Sequence, residues 1–506
     1  MKNKDNTQET SFHETQEHII EEVFDKGKTP TKQFAVFIKD IEKVSYSEEI
    51  ELEDGKKLLP IQTPNLIDNR VVLLPTHTAV YFSEQDLIKE IKEFLHKYLD
   101  IHPFHENVVA HYILMTWVFD RLSVVPYLRA LGEFGTGKTR FIQTVGSLCY
   151  KPMFLAGATS DAYLFRVIEL FNGTLVINEF ERVNSDLQSQ ITIILNNGYE
   201  KGMPVGRVEG DKTREPRTFN VFCPKIFSTR KRFSDQALES RIISVPMRCT
   251  TRQDIPSFLD EIFWKEAERI RNKLLFYRFK NLNNLLIQEK ENERKRNLLS
   301  QLEPRLKQTL LPLLYVVTDI ELEKQFVDFA LEYQGQIVDA RGNEIPGLVF
   351  QKLYQLNNQQ EGKVAVKEVT DAVNTEIEKE RYKLTSQKVG KIIREELGFK
   401  THKSTGGLYF IDINQKQLEY LVARYGVESP PTPPSPLTDS DSKEDLVDIE
   451  DSSKEEAKTQ LKSCYACEST KFWKTHDNSI NCFTCHPPVS ETDLKEWIEV
   501  GDHEKV

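Results

Sequence analysis

Hydrophobic and polar positions follow two different periods in the central part of the chain. Residues 125–250 contain four short apolar runs, and the segments between them have the apolar spacing of helices. The runs are PYLRAL, TLVINEF, NVFCPKIFST and RIISVPM. Because strands that alternate with helices usually form βα units, this pattern predicts an α/β fold with a largely parallel sheet.

The flanking regions show other patterns. Short β-rich runs are followed by a helical pattern that begins at Ser83, a suitable helix cap. Further along, helices lead into a strand, a glycine-containing turn and a strand, which is typical of a winged helix. We therefore expect eight regions: a disordered N-terminus (1–30), a β-rich region plus helix without an assigned function (31–104), an α/β core (105–255), a helical region (256–340), a winged-helix domain (341–427), an acidic Pro/Ser-rich linker (428–463), a cysteine module (464–490) and a C-terminal tail (491–506).

Composition and charge exclude some classes of protein. Seven cysteines in 506 residues do not make a disulfide scaffold. The first residues are polar and no apolar run reaches about 18 residues, so we expect a cytoplasmic protein without a signal peptide or membrane span. The net charge is 67 − 78 = −11, of which residues 428–456 carry −8 (ten acids, two lysines). The other 477 residues carry only −3, so the acidic total does not exclude nucleic acid as a partner.

The strongest motif is a phosphate-binding loop. Gly132-Glu-Phe-Gly135-Thr-Gly137-Lys138-Thr139 matches G-x-x-x-x-G-K-[ST] between a predicted strand and a predicted helix. Glycines let backbone N–H groups approach phosphates, and the N-terminus of the following helix favours negative charge. Lys138 is placed to reach the β- and γ-phosphates of ATP, and Thr139 to hold Mg²⁺. A chance glycine-rich turn is the alternative, but motif and context together predict nucleotide binding.

A carboxylate is expected at the end of a neighbouring strand. The run GTLVINEFE places Asn178 and Glu179 there, with Glu181 as a substitute for Glu179. The usual pair is Asp-Glu, so Asn178 keeps an oxygen but lacks the charge that attracts Mg²⁺. Glu179 is predicted to activate water. The alternative is an ordinary buried strand capped by acids.

Two further segments carry candidate phosphate contacts. The strand KIFSTR ends in polar residues, and we expect Thr229 to sense the γ-phosphate. Arg241 precedes the last apolar strand, and an arginine there could complete the site of a neighbouring subunit. A salt bridge from Arg241 to Glu239 or Asp235 is the alternative.

Residues 110–250 resemble the AAA+ ATPases of mobile elements, close to the superfamily 3 helicases and the replicative helicases of phages and plasmids. The motifs that carry the resemblance are GEFGTGKT, TLVINEFE, ILNNGYEKG, KIFSTR and LESRIISVPM. The resemblance implies an oligomeric ring, expected to be a hexamer, that couples ATP hydrolysis to DNA movement. It assigns Lys138 and Thr139 to the P-loop pair, Glu179 to the catalytic glutamate and Arg241 to the arginine finger. Asn178 departs from the family pattern.

A basic β-hairpin is predicted just before the strand KIFSTR. The segment PVGRVEGDKTREPRTFNVF has a turn at Gly210-Asp211, and residues 207–232 hold eight Lys/Arg and three acids. In helicases of the resembled type, a hairpin here grips nucleic acid in the ring pore, so Lys212 and Arg214 are the candidate DNA contacts. A solvated surface hairpin is the alternative.

The predicted winged helix is also basic. Its second helix would be LTSQKVGKIIREELG, and residues 379–403 hold eight Lys/Arg and three acids. That charge suits phosphate contacts, with Lys388 and Lys391 as the candidates. Many winged helices bind only protein, so the fold alone does not prove DNA binding.

The cysteine module has the spacing of a structural zinc site. Cys464 and Cys467 are followed, 14 residues later, by Cys482 and Cys485. Two such C-x-x-C pairs place four thiolates tetrahedrally, so we predict Zn²⁺. The module resembles zinc ribbons of primases and plasmid replication proteins. Its pair Phe472-Trp473 would either stack on single-stranded bases or form a small core over the zinc.

Three functions are compatible with these motifs. The first is an ATP-driven DNA motor, a replicative helicase of a mobile element that acts on single-stranded or forked DNA. The second is a DNA-binding ATP switch in transposition or plasmid maintenance, in which Asn178 makes hydrolysis slow. The third is a nucleotide-bound scaffold that contacts only proteins. Turnover and unwinding separate the first two, and salt-sensitive DNA binding separates both from the third.

Overall fold

A computed structural model describes most of the chain, in two compact units, Met1–Pro430 and Pro431–Val506. The described residues are 7–25, 31–155, 159–178, 185–208, 216–233, 235–282, 289–360, 363–377, 383–427, 471–474, 480–482 and 496–499.

The first unit begins with two small sheets. Their strands are β1 (Thr7–Glu9), β2 (Phe12–Glu14), β3 (His18–Asp25), β4 (Thr31–Ile38), β5 (Lys43–Ser47), β6 (Ile50–Glu51) and β7 (Lys57–Leu59). Strands β2-β3-β4-β5 form an antiparallel sheet, and β1-β7-β6 form a three-stranded sheet. Strands β4 to β7 lie within the region that the sequence predicts to be β-rich.

The expectation of a disordered N-terminus over residues 1–30 is wrong for residues 7–25. Strand β3 is buried, but its two central residues are acidic and hide the apolar pattern of HIIEEVFD. Glu21 is tolerated in the interior because Lys151 lies 2.8 Å from one carboxylate oxygen and Arg278 lies 2.5 Å from the other. Both partners are distant in sequence, so local pattern could not reveal the strand.

Three helices connect this region to the core. They are α1 (Pro64–Asp68), α2 (Glu84–Tyr98) and α3 (Pro103–Thr116). The predicted cap of α2 is confirmed, since the Ser83 side chain accepts a hydrogen bond from the backbone N–H of Asp86 at 3.1 Å. The apolar face of α2 is buried, which anchors the helix beside the core.

A five-stranded parallel sheet forms the centre of the unit, which confirms the predicted α/β fold class. Its strands lie in the order β14-β8-β13-β10-β9, and the pair β11-β12 forms a separate antiparallel hairpin. The elements are β8 (Tyr127–Leu131), α4 (Lys138–Gly146), β9 (Met153–Leu155), α5 (Asp161–Phe171), β10 (Leu175–Ile177), α6 (Ser185–Asn197), β11 (Val205–Val208), β12 (Pro216–Phe219), β13 (Lys225–Thr229), α7 (Gln236–Glu239) and β14 (Ile242–Pro246).

Helices dominate the rest of the first unit. Those that follow the sheet are α8 (Glu261–Asn281), α9 (Glu289–Leu298), α10 (Pro304–Tyr315) and α11 (Ile320–Gly342). The last group has its own hydrophobic core. It consists of α12 (Ile345–Gln359), α13 (Val366–Glu376), α14 (Ser386–Glu395), the antiparallel hairpin β15 (Lys400–Lys403) and β16 (Tyr409–Asp412), and α15 (Gln415–Tyr425).

The second unit contains a three-stranded antiparallel sheet in the order β18-β17-β19. The strands are β17 (Lys471–Lys474), β18 (Ile480–Cys482) and β19 (Glu496–Glu499). Cys482 ends β18, whereas the other predicted zinc ligands, Cys464, Cys467 and Cys485, lie outside the described residues. Among the described helices of the chain, none combines the length and apolar character that a membrane crossing needs.

Candidate functional site

The sequence-predicted nucleotide residues meet at the carboxyl edge of the parallel sheet. Strand β13 lies between β8 and β10, with Thr229 level with Leu131 and Phe227 level with Ile177. The chain leaves β8 towards β9 at one edge of the sheet and leaves β13 towards β14 at the other. Because the connections from the neighbouring strands β8 and β13 run in opposite directions, a crevice opens at the carboxyl ends of these two strands. Ligands of open α/β sheets bind in such crevices.

The loop after β8 needs glycine at three positions for two different reasons. Gly135 and Gly137 both have φ of +82°, a conformation that residues with a Cβ rarely adopt. Gly132 is instead crowded, because a Cβ there would lie 2.6 Å from the carbonyl oxygen of Met247 and 2.8 Å from the Thr136 hydroxyl. The motif glycines are therefore required by the backbone geometry of the loop, which curls around the crevice.

Lys138 begins α4 and its side chain turns back over the loop. Its ammonium donates hydrogen bonds to the carbonyl oxygens of Gly132 at 2.7 Å and Glu133 at 2.6 Å. The ammonium thus lies against the phosphate loop. The same loop leads into the N-terminus of α4, which carries the positive end of the helix dipole. A cation and a helix N-terminus together favour an anionic group at this point.

Thr139 and Asn178 supply neighbouring oxygens on adjacent elements. The Thr139 hydroxyl donates to Asn178 Oδ1 at 3.4 Å, so the side chain after β10 reaches the first turn of α4. Neutral hydroxyl and amide oxygens can ligate a hard cation such as Mg²⁺, although with less attraction than a carboxylate. Glu179 and Glu181 lie outside the described residues.

Thr229 ends β13 inside the crevice. Its carbonyl oxygen accepts a hydrogen bond from the N–H of Gly132 at 3.2 Å, which ties the strand to the phosphate loop. Its side chain is only 2% exposed, and the hydroxyl has no hydrogen-bond partner among the residues described. An orphaned hydroxyl in a buried position is costly, and beside the phosphate loop a bound ligand could supply the missing partner.

A cavity of about 230 Å³ adjoins the loop, and apart from the motif glycines its residues were not predicted from the sequence. It is lined by Gly135 to Gly137, by the end of α2 and by the segment after β14, which contributes both apolar side chains and the cations Arg248 and Arg252. Arg140 of α4 holds that segment by donating to the carbonyl oxygens of Pro256 at 2.5 Å and Ser257 at 2.7 Å. The end of α2, the phosphate loop and the segment after β14, which line the cavity, lie far apart in sequence and share no local motif. The walls include Tyr98, Met247, Ile255 and Pro256.

Arg241 lies at the amino ends of the parallel strands, whereas the phosphate loop lies at their carboxyl ends. It precedes β14, whose five residues span about 16 Å, and its carbonyl accepts from Tyr127 at the start of β8. Its guanidinium donates to Asn196 Oδ1 at 2.7 Å and lies 5.6 Å from the ring centre of Tyr199. The predicted alternative, a salt bridge to Glu239, does not form, since the buried Arg129 binds that carboxylate.

Part of the basic charge near β11 and β12 is used inside the protein. Arg207 donates to Gln190 at 2.8 Å, and Arg217 pairs with Glu169 at 2.8 Å. Lys225 is fully buried and donates to three backbone carbonyls, so its charge is structural. The predicted antiparallel pairing is confirmed, whereas Lys212 and Arg214, which the sequence predicts for its tip, lie outside the described residues.

Lys388 and Lys391 are exposed on α14, as DNA contacts would have to be. The Lys391 ammonium lies 3.7 Å from the Glu395 carboxylate one turn later. An exposed pair of this kind contributes little to stability and leaves the ammonium available to a phosphate.

No protein-family model matches the chain, and no curated protein matches it. Among solved structures, the chain is similar to the A-form apo structure of the NrS-1 C-terminal region, with 14% identity over 78% of this chain and 96% of that chain and a TM-score of 0.34. It is also similar to a full-length MCM homolog from Methanopyrus kandleri, with 13% identity, coverages of 64% and 76% and a TM-score of 0.30. A third similar structure is JCV helicase, with 14% identity over 51% of this chain and 62% of that chain and a TM-score of 0.24. Identity and TM-score are too low for these similarities to support a function, which has to be argued from the site.

Proposed function

We propose that the chain is an ATPase that drives movement along DNA, as a replicative helicase of a mobile genetic element does. The observation that carries the proposal is the crevice itself. A loop with three geometrically required glycines, the Lys138 ammonium and the orphaned hydroxyl of Thr229 converge at the carboxyl edge of one parallel sheet. This combination suits a nucleoside triphosphate, whose phosphates need backbone donors, a cation and a group that contacts the terminal phosphate.

Each residue has a defined task in this proposal. The loop N–H groups and Lys138 bind the phosphates, and the Thr229 hydroxyl donates a hydrogen bond to a γ-phosphate oxygen. Glu179 orients and polarises the attacking water. The oxygens of Thr139 and Asn178 would hold Mg²⁺, which neutralises phosphate charge when bound. The cavity beside Gly135 accepts the base, since Tyr98, Met247 and Ile255 offer apolar surface to a flat ring there.

Arg241 acts on the nucleotide of a neighbouring subunit in this proposal. It lies about 16 Å along β14 from the phosphate loop of its own chain, so it cannot reach that nucleotide. A head-to-tail ring, such as the hexamer implied by the resemblance, would bring it to the next crevice. ATP hydrolysis would then depend on assembly.

DNA contacts are proposed at three places. The helices and hairpin of residues 345–425 have the element order of a winged helix, with Lys388 and Lys391 exposed on α14. Lys212 and Arg214 would contact DNA from the hairpin tip. The four cysteines would hold a structural Zn²⁺ in a ribbon beside Phe472 and Trp473.

One observation favours the slow ATP switch as a second candidate. The side chain that meets Thr139 is an amide, so the crevice lacks one negative charge that would attract Mg²⁺. Such a site would still bind ATP but turn it over slowly, and nucleotide binding would control assembly on DNA.

Steady-state ATPase activity with and without single-stranded DNA tests the proposal, with Lys138→Ala as the blank. DNA-stimulated turnover that disappears in the variant supports the motor and leads to a strand-displacement assay. ATP binding without DNA-stimulated turnover contradicts the motor and supports the switch. Nucleotide binding without salt-sensitive DNA binding contradicts both and supports the protein scaffold.

A further inference from the structure

A cavity of about 710 Å³ lies between α13, α14 and the hairpin β15–β16, and we call it the hairpin groove. It is separate from the ATP crevice and uses none of the DNA contacts assigned from the sequence. The residues that matter to its chemistry are Lys367, Gln387, Arg394, Thr401, Leu408 and Tyr409.

The hairpin groove is electropositive. Two of its residues, Lys367 and Arg394, are cationic, and none of the described residues that line it is acidic. Arg394 is exposed and its guanidinium donates to the Thr401 hydroxyl at 3.4 Å, across from helix to strand. Gly390 makes room for this arrangement, because a Cβ there would lie 3.2 Å from Arg394 Nη1. Within the described part of the chain, neither cation forms an ion pair, so both charges are available to an anion.

An aromatic and an aliphatic side chain stand at the mouth of the groove. Tyr409 is 49% exposed and Leu408 is 46% exposed, although both are large and apolar. They are held at the start of β16 by a tight turn, in which the Ser404 N–H donates to the Leu408 carbonyl at 2.8 Å. Lys403 is exposed directly opposite Tyr409 on β15, so a third cation flanks the ring. An exposed ring beside cations suits a polymer in which planar bases are joined by anionic phosphates.

We propose that the hairpin groove binds single-stranded nucleic acid, with one base stacked on Tyr409 and the flanking phosphates on Lys367 and Arg394. A base can offer its flat face to Tyr409 only when it is unpaired and unstacked, so the groove selects single strands over duplex. Lys388 and Lys391 contribute charge from α14 but do not line the groove. The inference rests on the proposed function only in taking DNA as the ligand, and it needs no ATP hydrolysis.

Fluorescence anisotropy of the full chain with a labelled 20-nucleotide oligo(dT), and with a duplex of the same length, tests the inference. Tyr409→Ala should weaken oligo(dT) binding about 10-fold, and Tyr409→Phe should restore it, because stacking needs the ring and not the hydroxyl. Arg394→Gln should lower the slope of log affinity against log salt by about 0.7, the value for one phosphate contact on a single strand. The matched controls Tyr420→Ala and Lys416→Gln change an exposed tyrosine and an exposed lysine of α15, outside the groove, and should leave binding unchanged.

Three results would overturn the inference. They are oligo(dT) affinity within twofold of wild type in Tyr409→Ala, an equal loss for duplex and single strand, and wild-type chain that does not bind oligo(dT). ATPase activity of the wild type without DNA reports on the crevice alone, so failure of the groove and failure of the proposed ATPase remain distinguishable.

Discussion

Thr229→Val should raise the stability of the protein while lowering its ATPase activity. The side chain is buried at the end of β13, and its hydroxyl has no hydrogen-bond partner among the residues described. Valine has nearly the same shape and lacks the polar atom. A buried, unpartnered hydroxyl costs stability, and at the carboxyl end of β13 a γ-phosphate oxygen would supply the missing partner.

The structure sets the size of both effects. An unsatisfied buried hydroxyl costs about 1–3 kcal/mol. Its replacement by a methyl group should therefore increase the free energy of unfolding by about 1 kcal/mol, the lower end of that range. A hydrogen bond to a charged phosphate oxygen contributes about 1.5–3 kcal/mol, so its loss should reduce kcat about 10- to 150-fold. KM for ATP should change much less if the bond strengthens as charge develops on the phosphate.

Thr174→Val is the matched control. Thr174 is fully buried with an unpartnered hydroxyl, but it precedes β10 and so lies at the amino edge of the sheet, away from the crevice. It should show the same gain in the midpoint of thermal unfolding with wild-type turnover. A Thr229→Val enzyme with kcat within twofold of wild type, or with a lower unfolding midpoint than wild type, would refute the assignment of Thr229 to the nucleotide.

Four other experiments test separate parts of the structure. Gly132→Ala should abolish binding of a fluorescent ATP analogue, because the new Cβ would lie 2.6 Å from a backbone oxygen. The new Cβ of Gly135→Ala would have nothing within 4 Å, so this change should cost only the strain of a positive φ, about 1–2 kcal/mol. Equal affinities of the two variants would contradict this steric argument. Asn178→Asp should raise turnover at low Mg²⁺ by restoring a charge beside Thr139; an unchanged Mg²⁺ dependence of kcat would place the metal elsewhere. Arg241→Ala should lower kcat at least about 100-fold with little change in nucleotide affinity, and lysine should not replace it; a parallel loss of affinity would indicate a role within its own subunit. Burial raises the pKa of Glu22 from 4.5 to about 7. The folded state therefore binds an extra proton between these values, and stability falls as pH rises through that window. Glu22→Gln should raise the unfolding free energy at pH 8 by up to about 3 kcal/mol, and identical pH profiles of the melting temperature would contradict the burial of that charge.

Local pattern was sufficient for the elements that carry the nucleotide chemistry. The P-loop motif fixed the order strand, loop, helix, and the structure has β8, a glycine loop and α4 at those residues. The apolar face of α2 and its Ser83 cap were predicted equally well, because caps and helical periodicity depend on residues only a few positions apart. Parallel pairing followed from alternation of strands with helices.

Local pattern was misleading for polar and charged residues that the folded chain buries. The strand at His18–Asp25 was hidden by Glu21, which is stabilised by Lys151 and Arg278 from elsewhere in the chain. Lys225 contributed to the basic balance that suggested DNA contact, yet it is enclosed and bonded to three carbonyls. A count of charges cannot tell a solvated cation from one that holds the interior together.

The sequence by itself determined which residues make the phosphate loop and where helices and strands alternate, since both depend on contacts within one or two turns of chain. The tertiary structure decided which polar groups stay unpaired. The Thr229 hydroxyl is orphaned because tertiary packing buries it where none of the described residues offers a hydrogen-bond partner. Arg241 is directed away from its own loop because the strands are parallel and it sits at their amino ends. Tyr409 and Arg394 line one groove only because a hairpin folds back onto a helix. Pairing of this kind depends on residues far apart in sequence, and so it becomes visible only when the chain is folded.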